Sequence, residues 1–395
     1  MYFIINFIIL RNRLRNGFKL KTHYFTCFVV KISLRNYQKD ANLDNRLHKL
    51  IKFFDIKKRI TIKDIAKALN LTSSTVSRAL NDNSRISEKT KQAVKQTAKE
   101  LGYEPNYLAS ALRKGKSNLV GLIIPRANSY FFSSVVKAIG DRLSIEGYNI
   151  IITQSNESYE KECQNIESLL YTQVDGIIAS LANETVDLEY YNKIKANGVP
   201  LVIFDRGEDS LNVDYIGIDD YLSSFKVVEH LYNQGCRRIA HIGGYRHTRI
   251  YESRVEGYID ALTKFNLPLE ESLISESNLK VEDGRAIMEE LLKLPNKPDA
   301  IYAAGDFAAL GALQVAKENH ISIPDDIALV GFSNEPFTSL ITPSITSIEQ
   351  HSEMIGRLAA ETFLDRINNP DKAVKLNKIV LDTELIVRES SKKLK

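Results

Sequence analysis

The sequence predicts a small all-α domain on the N-terminal side, followed by a larger α/β domain with parallel sheets. Two observations lead to this prediction. Between positions 60 and 80, apolar residues recur at helical spacing on both sides of a turn residue. From residue 119 onward, short apolar runs alternate with amphipathic helical stretches, a pattern typical of strands that are buried on both faces. The chain has 395 residues, of which 44% are hydrophobic, and can therefore form two or three domain cores.

Residues 60–80 predict two short helices joined by a tight turn. Thr61 stands three residues before Asp64, a capping-box pattern that starts a helix. Asn70 suits the turn because asparagine tolerates the left-handed conformation, and Thr72 is a suitable N-cap for the second helix. The outer face of that helix carries Ser73, Ser74, Ser77 and Arg78. This is the arrangement of a helix-turn-helix, whose second helix enters a DNA major groove, although a plain helical hairpin with a polar face has the same pattern.

A third helix is expected to complete this small domain. Ser87 is a suitable N-cap for it, and Gly102 suits its C-terminal end. Between these two residues, Val94, Ala98 and Leu101 are spaced so that they can close a three-helix core.

Charge is distributed unevenly along the chain. The net charge of +4 is the sum of three segments with different charges: +10 for residues 1–58, +7 for 59–118 and −13 for 119–395. A basic helical unit favours a polyanionic partner such as DNA, whereas the acidic remainder favours a small ligand. A solvated basic face without a partner is the weaker interpretation.

Two sequence signatures point to a family. TVSRALN at 75–81 and YEPNYLASAL at 103–112 resemble, in this order, the headpiece and hinge helix of the LacI/GalR (lactose repressor/galactose repressor) family of bacterial transcription regulators. The resemblance runs from Thr61 to Leu112 without a gap. It implies a helix-turn-helix domain at 59–105, a hinge helix and linker at 106–118, and a homodimer that binds a pseudo-palindromic, double-stranded DNA operator.

The expected DNA contacts are of three kinds. Arg78 can donate two hydrogen bonds to a guanine in the major groove, whereas serine hydroxyls discriminate weakly between bases. Lys63 and Arg85 are expected to hold phosphates. By the resemblance, Leu112 of each subunit inserts into the minor groove at the centre of the site and kinks the DNA. The full set of expected DNA contacts is Thr61, Lys63, Thr72, Ser73, Ser74, Thr75, Ser77, Arg78, Asn81, Arg85, Asn106, Ala109 and Leu112.

Residues 119–395 are expected to bind the effector and to dimerise. This segment is longer than one open sheet usually requires, which favours two lobes with a cleft between them. The resemblance agrees, because it implies a fold like that of type I periplasmic sugar-binding proteins. In such a fold the chain crosses between the lobes three times, and the crossings are expected near Asp219, Gln350 and Leu381. Lobe 1 then comprises about 119–218 and 350–380, and lobe 2 about 219–349 and 381–388.

Candidate effector contacts follow the predicted strands, since ligands of open α/β sheets bind at the carboxyl ends of the strands. Arg254 lies in RVEGYIDAL, which resembles a family motif whose arginine holds effector hydroxyls, and Asp306 begins DFAALGAL, another match. The expected contacts are Tyr130, Phe131, Ser155, Asp205, Arg254, Asp306 and Ser333. Taken singly, the charged ones could form surface salt bridges, and at least one aromatic residue after the first strand is expected in the core.

Ser333 departs from the family pattern, which often has an aspartate at this place. A serine hydroxyl still donates and accepts hydrogen bonds, but it lacks the charge-assisted bond of a carboxylate. The effector class therefore stays open: a carbohydrate is the leading candidate, followed by a purine or a phosphorylated metabolite.

Neither catalysis nor a metal or cofactor is expected. The sequence has no Gly-x-Ser-x-Gly elbow, no phosphate-binding Gly-rich loop followed by Lys-Ser/Thr, and no metal-ligand spacing among its seven histidines. Cys27, Cys163 and Cys236 have no spacing that suggests disulfides, which favours a reducing cytoplasm.

The first 58 residues lie outside the resemblance. The apolar run at 1–10 is too short to span a bilayer, and its arginines follow the run, whereas those of a secretory signal precede it. Three interpretations stay open: a misassigned start, a disordered basic arm that adds nonspecific DNA affinity, or a membrane-surface anchor.

The sequence as a whole is interpreted as that of a ligand-controlled transcription regulator, by default a repressor. The alternative is a sugar-binding or sugar-sensing protein of the periplasmic-binding type without a transcriptional role. An α/β enzyme fused to a DNA-binding domain would require a catalytic constellation that the sequence does not contain.

Overall fold

A computed structural model describes residues 60–104, 116–369 and 376–392 of the chain. The chain divides into two compact units, residues 1–105 and 106–395. The predicted fold class is confirmed: a helix-turn-helix region precedes a two-lobed α/β domain with parallel sheets. The extension at 1–58 and the hinge residues Asn106, Ala109 and Leu112 lie outside the described residues.

The first unit contains helices α1 (Ile62–Ala68), α2 (Ser73–Leu80) and α3 (Glu88–Leu101). Each helix starts at the residue expected from its sequence. Thr61 and Asp64 form the capping box of α1, and the hydroxyls of Thr72 and Ser87 accept hydrogen bonds from the amides three residues later. These caps satisfy amides that the first turn of a helix leaves without partners.

The turn and the core of this unit follow from local sequence, with one exception. Asn70 adopts a φ of +52°, and Val94 and Ala98 are buried in the core together with residues of α1 and α2. Leu101 was expected in this core, but it is 39% exposed. The chain reverses at Gly102, and the Tyr103 amide donates to the Ala98 carbonyl at 2.8 Å, so Tyr103 rather than Leu101 packs against the core.

The second unit is built on two sheets. In the described part of the chain, the first sheet has the strand order β11-β5-β4-β3-β1-β2 and the second the order β12-β10-β9-β8-β6-β7. All strand pairs are parallel except β12, which pairs antiparallel with β10. The strands are β1 (Leu119–Ile124), β2 (Asn149–Gln154), β3 (Gly176–Ala179), β4 (Leu201–Phe204), β5 (Asp214–Ile218), β6 (Ile239–Gly244), β7 (Ile274–Ser277), β8 (Ala300–Ala303), β9 (Ala328–Phe332), β10 (Thr346–Glu349), β11 (Lys378–Leu381) and β12 (Glu384–Ile386).

Helices cover the faces of both sheets and bury the apolar strands. They are α4 (Tyr130–Ile145), α5 (Tyr159–Tyr171), α6 (Glu189–Ala196), α7 (Asp220–Asn233), α8 (Arg249–Lys264), α9 (Val281–Lys293), α10 (Asp306–Glu318) and α11 (Ser352–Asn368). Helix α11 packs on α4, α7 on α8, and α9 on α10. None of the described helices is both long and apolar enough to cross a membrane.

The chain passes between the two sheets at three short segments. It leaves the first sheet after β5 and enters α7 at Asp220; it returns between β10 and α11; and it crosses again between β11 and β12. Asp219 and Gln350 lie within the first two segments, and Leu381 is the last residue of β11. Because the parallel strands of both sheets end toward these crossings, the carboxyl ends of the strands border one cleft.

The contact between α9 and α10 requires a glycine. A Cβ atom on Gly311 would lie 2.1 Å from the Val281 carbonyl oxygen, and a backbone atom cannot move aside as a flexible side chain can. On α4, by contrast, a Cβ on Gly140 would meet only the Cδ1 atom of Ile150, at 3.3 Å.

We therefore expect Gly311→Ala to lower the free energy of unfolding of the α/β domain by about 2 kcal/mol, since overpacking forces the backbone to shift. The matched control Gly140→Ala should be neutral, or stabilising by up to about 1 kcal/mol through its helix propensity. Denaturant titration of both variants tests this. Equal losses in the two variants would contradict the close packing of α9 on α10.

His241 in β6 is buried between two tyrosine rings. Its ring lies 5.1 Å from that of Tyr258 and 4.6 Å from that of Tyr302, and its Nδ1 donates to the Tyr302 carbonyl at 3.1 Å. Burial lowers the pKa of His241 to about 3. The imidazole is therefore neutral in the folded protein over the whole range in which an unfolded histidine, with a pKa of about 6.5, takes up a proton.

Because the folded pKa lies below the unfolded pKa, the stability linked to His241 is fully present above about pH 6.5 and is lost as the pH falls toward 3. The loss should approach about 1.4 kcal/mol per pH unit. In His241→Phe, the slope of unfolding free energy against pH between 6 and 4 should be shallower by that amount, measured by denaturant titration. An unchanged slope in His241→Phe would show that the imidazole takes up its proton in the folded state.

Candidate nucleic-acid interface and ligand cleft

The outer face of α2 is largely exposed. Ser73, Ser74 and Arg78 are exposed, and Thr75 and Ser77 are half-buried. The Thr72 hydroxyl lies 2.8 Å from that of Ser74 and 2.9 Å from that of Thr75, so the start of the helix presents a cluster of hydroxyl groups. Such groups can donate or accept at base edges and phosphates.

Two of the other expected DNA contacts also have a role in the helix ends. The Thr61 hydroxyl donates to Asp64 at 2.7 Å, and the Asn81 amide donates to the Ser77 carbonyl at 2.6 Å. Both side chains are exposed, so each still has free hydrogen-bonding capacity toward DNA.

The cations of this unit differ in their availability. Lys91 pairs with Glu88 at 2.7 Å and Lys95 with Asp82 at 2.6 Å, which neutralises both lysines locally. Lys63, Arg78 and Arg85 are exposed, and none of the three forms an ion pair with another described residue. These three, all among the expected DNA contacts, therefore keep their full charge for phosphates or bases.

A cavity of about 350 Å³ lies between the two lobes, at the carboxyl ends of the strands. Five of the seven expected effector contacts line it: Phe131, Asp205, Arg254, Asp306 and Ser333. Tyr130 and Ser155 do not. Tyr130 is 49% exposed at the start of α4, and Ser155 is fully buried beneath the surface. We therefore leave both out of the candidate site.

Arg254 is the most firmly held of these residues. It is 3% exposed; its Nε donates to Asp220 Oδ1 at 2.8 Å and its Nη1 to the Ala304 carbonyl at 2.9 Å. Its guanidinium also lies 3.6 Å from the ring centroid of Phe332. Burial raises the pKa of Asp220 to about 6, although Arg254 opposes this shift. A fixed guanidinium at the cavity wall can donate its remaining N–H groups to a ligand.

Asp306 is held in place by lobe 2 itself. Its carboxylate accepts hydrogen bonds from the Ser347 hydroxyl at 2.7 Å and the Glu335 amide at 2.8 Å. Burial raises the pKa of Asp306 to about 7, and the nearby Glu335 carboxylate acts in the same direction. Near neutral pH, this group can therefore act either as an acceptor or, when protonated, as a donor.

Ser333 has an unusual backbone conformation. Its φ is +108°, a region that L-residues rarely adopt, and its hydroxyl accepts a hydrogen bond from the Gln350 amide at 2.7 Å. Gln350 stands between β10 and α11, so this bond connects the end of β9 to a crossing between the lobes. Backbone strain of this kind often accompanies functional sites.

Glu335 was not predicted from the sequence, yet it joins the two lobes. Its buried carboxylate, in lobe 2, accepts hydrogen bonds from the Ser129 hydroxyl at 3.0 Å and the Tyr130 amide at 3.1 Å, at the start of α4 in lobe 1. The N-terminus of a helix favours a negative charge. No local pattern could reveal this contact, because the residues are about two hundred positions apart.

Arginines provide further contacts between the lobes. Arg206 Nη2 donates to the Tyr251 hydroxyl at 3.2 Å, and Arg126 Nη2 donates to the Asn278 carbonyl at 3.1 Å. Both guanidiniums also contact Glu157, Arg126 at 2.7 Å and Arg206 at 2.6 Å. Burial alone would raise the pKa of Glu157, but the two arginines hold it below its usual value.

The comparisons with known proteins agree with this architecture. Residues 61–106 match the family described as bacterial regulatory proteins, lacI family, and residues 228–391 match the periplasmic binding protein-like domain. The chain is 32% identical over 339 residues to the probable HTH-type transcriptional repressor ExuR of Bacillus subtilis, covering 85% of this chain and 99% of that protein. It is 31% identical over 334 residues to catabolite control protein A of Priestia megaterium, covering 84% and 99% respectively.

Solved structures show the same fold. The lac repressor dimer bound to operator and the anti-inducer ONPF superposes with a TM-score of 0.75 at 25% identity, covering 85% of this chain and 99% of that one. The transcriptional regulator CelR in complex with cellobiose superposes with a TM-score of 0.64 at 30% identity, covering 84% and 100%.

A helix-turn-helix unit joined to a two-lobed, periplasmic-binding-like domain defines a DNA-binding transcription regulator rather than an enzyme. The chain belongs to the lacI family of bacterial regulatory proteins. This membership excludes the alternative interpretation of a sugar-binding protein without a transcriptional role.

Removing the Glu335 carboxylate should expose the start of α4. In Glu335→Ala, the Tyr130 amide loses its acceptor, and hydrogen exchange at this amide should become faster by about tenfold or more, since a hydrogen bond to a charged group contributes roughly 1.5–3 kcal/mol. Hydrogen-exchange mass spectrometry measures this. The control Glu353→Ala, at an exposed position of α11, should leave the exchange unchanged. Equal exchange rates in both variants would show that Glu335 does not hold the lobes together.

Proposed function

We propose that this protein is a repressor whose affinity for DNA is controlled by a small-molecule effector, a carbohydrate, in the cleft between the lobes. The observation that carries the proposal is the cavity itself, because it brings Phe131, Asp205, Arg254, Asp306 and Ser333 together from both lobes. A ligand that contacts both lobes stabilises one arrangement of them over another. It can thereby change the affinity of the DNA-binding unit, with a sign that depends on which arrangement it prefers.

The lining of the cavity supports a carbohydrate. Phe131 and Tyr251 offer apolar ring faces, while Arg254 and Asp306 offer fixed donors and acceptors. Sugars present both kinds of surface, apolar C–H faces and equatorial hydroxyls. The structural relative CelR, solved with cellobiose, supports the same effector class.

On the DNA side, the protein acts as a homodimer on a pseudo-palindromic operator. Arg78 and the hydroxyls of Ser73 and Ser74 read base edges in the major groove, and Lys63 and Arg85 hold phosphates. Leu112, outside the described residues, is proposed to insert into the minor groove. The operator-bound dimer of the related lac repressor supports this arrangement. The thiols of Cys163 and Cys236 are buried and are not joined in a disulfide, which suits a cytoplasmic location.

The first experiment selects duplexes bound by the full-length protein from a random DNA pool. A two-fold-symmetric site should be enriched, and Arg78→Ala should bind it at least about tenfold more weakly, since a bidentate base contact contributes about 1–3 kcal/mol. The control Arg357→Ala, on the exposed face of α11, should bind like the parent. Salt-sensitive binding without any enriched sequence, both with and without a mixture of sugars and nucleosides, would contradict the proposal.

The selected site then serves as the probe for effectors. A screen of sugars should find one that changes operator affinity. The double variant Arg254→Gln/Asp220→Asn removes both charges of the buried pair together, so that no unpaired charge stays in the core. It should bind the operator like the parent but lose the response to the sugar. A full response in this variant would remove Arg254 from the effector site.

A further inference from the structure

A second concave region adjoins the cavity and shares lining residues with it. This region, the mouth groove, has a volume of about 770 Å³ and is lined by Arg126, Ala127, Asn128, Gln154, Asn156, Glu157, Glu184, Asn278 and Lys280. Four of these residues also line the cavity: Arg126, Asn128, Asn278 and Lys280. The groove and the cavity therefore adjoin each other, and residues of both lobes line each of them.

The mouth groove differs from the cavity in its chemistry. The cavity contains the rings of Phe131, Phe132, Tyr251 and Phe307. The mouth groove contains no aromatic ring among its lining residues, and Ala127 is the one apolar residue there. Its amides can donate and accept at the same time, and its carboxylates and cations form charge-assisted bonds. This composition suits a ligand part that is rich in hydroxyl groups and keeps part of its hydration.

Arg126 marks the junction between the two regions. Its Nε lies 2.7 Å from Glu157, and its Nη2 donates to the Asn278 carbonyl in the other lobe at 3.1 Å. The side chain is 24% exposed, so its position is defined while it stays within reach of a ligand. A ligand that extends from the cavity into the mouth groove has to pass this guanidinium.

We propose that the effector is a saccharide of at least two units, with one ring in the cavity and the next in the mouth groove. This inference rests on the proposed function, because it names the size of the effector that the cleft takes. The volume of the cavity, about 350 Å³, is near the lower end of the range of about 300–1,000 Å³ that ligand sites span, and the adjoining mouth groove adds about 770 Å³. The aromatic cavity then holds the face of one ring, and the polar mouth groove binds the hydroxyls of the next.

Matched pairs of sugars test the proposal. Binding to the full-length protein is measured by calorimetry for glucose against cellobiose and maltose, galactose against lactose, xylose against xylobiose, and galacturonate against digalacturonate. At least one disaccharide should bind at least about tenfold more tightly than its own monosaccharide, which corresponds to about 1.4 kcal/mol.

Filling the mouth groove should remove this preference. Gln154, exposed at the end of β2, lines the mouth groove but not the cavity, and Gln154→Trp would place an indole where the second ring lies. This variant should bind the disaccharide at least about tenfold more weakly and its monosaccharide as the parent does. Gln164→Trp, at an exposed position of α5 away from the cleft, is the matched control and should change neither affinity.

The outcomes distinguish failure of the two-ring effector from failure of the carbohydrate effector itself. If monosaccharides bind as tightly as their disaccharides, the inference is wrong while the proposed function stands. If a disaccharide is preferred but Gln154→Trp behaves like Gln164→Trp, the second ring does not lie in the mouth groove, and the inference is again wrong. If no saccharide of either length binds, the carbohydrate effector of the proposed function fails together with the inference.

Discussion

The buried pair of Arg254 and Asp220 connects several elements of the two-lobed α/β domain. Asp220 begins α7 directly after the first crossing between the lobes, and Arg254 lies on α8 at the cavity wall. The same guanidinium donates to the carboxyl end of β8 and lies against Phe332 at the end of β9. A buried charge is costly unless it is paired and hydrogen-bonded, so the position of Arg254 is determined by all of these partners at once.

The two lobes also contact each other directly across the cleft. The Glu335 carboxylate reaches the start of α4, Arg206 reaches Tyr251, and Arg126 reaches Asn278. Asp306, an expected effector contact, accepts a hydrogen bond from the backbone of Glu335. A ligand that contacts Asp306 therefore adjoins the residue that joins the lobes. A ligand in the cavity can therefore change the relative stability of different lobe arrangements through these two neighbouring residues.

The DNA-binding unit differs from the two-lobed α/β domain in that its candidate contact residues are mostly exposed rather than buried. The polar face of α2 and the exposed cations lie at the surface of this unit. A small core of Ile65, Val76, Ala79 and Val94 fixes the three helices beneath them. Two other lysines are engaged in local ion pairs. The unit can therefore keep its fold while its exposed polar and cationic residues vary.

Local sequence was sufficient to predict almost all of the helical unit, because caps and turns depend on neighbours within four residues. Thr61, Thr72, Ser87 and Gly102 end or begin helices as predicted, since each makes hydrogen bonds or adopts dihedral angles that are local properties. The alternation of strands and helices was predictable for the same reason. Arg254 and Asp306 were also accessible from the sequence, because both lie in short motifs that resemble those of the family. Asp306 begins α10 shortly after β8, whereas Arg254 lies within α8 and not directly after a strand.

Which side chains contact each other across the fold could not be predicted from local sequence. Phe131 faces the cavity while its neighbour Tyr130 points to solvent and Ser155 is buried, a distinction set by the packing of α4 and β2 rather than by residue type. Tyr103 packs against the core and Leu101 is exposed, because the chain reverses at Gly102. Glu335 and its partners at the start of α4 lie in different lobes. Their contact depends on how two sheets, joined by three short crossings, face each other. The distance between residues of the two lobes cannot be predicted from any periodicity in the sequence.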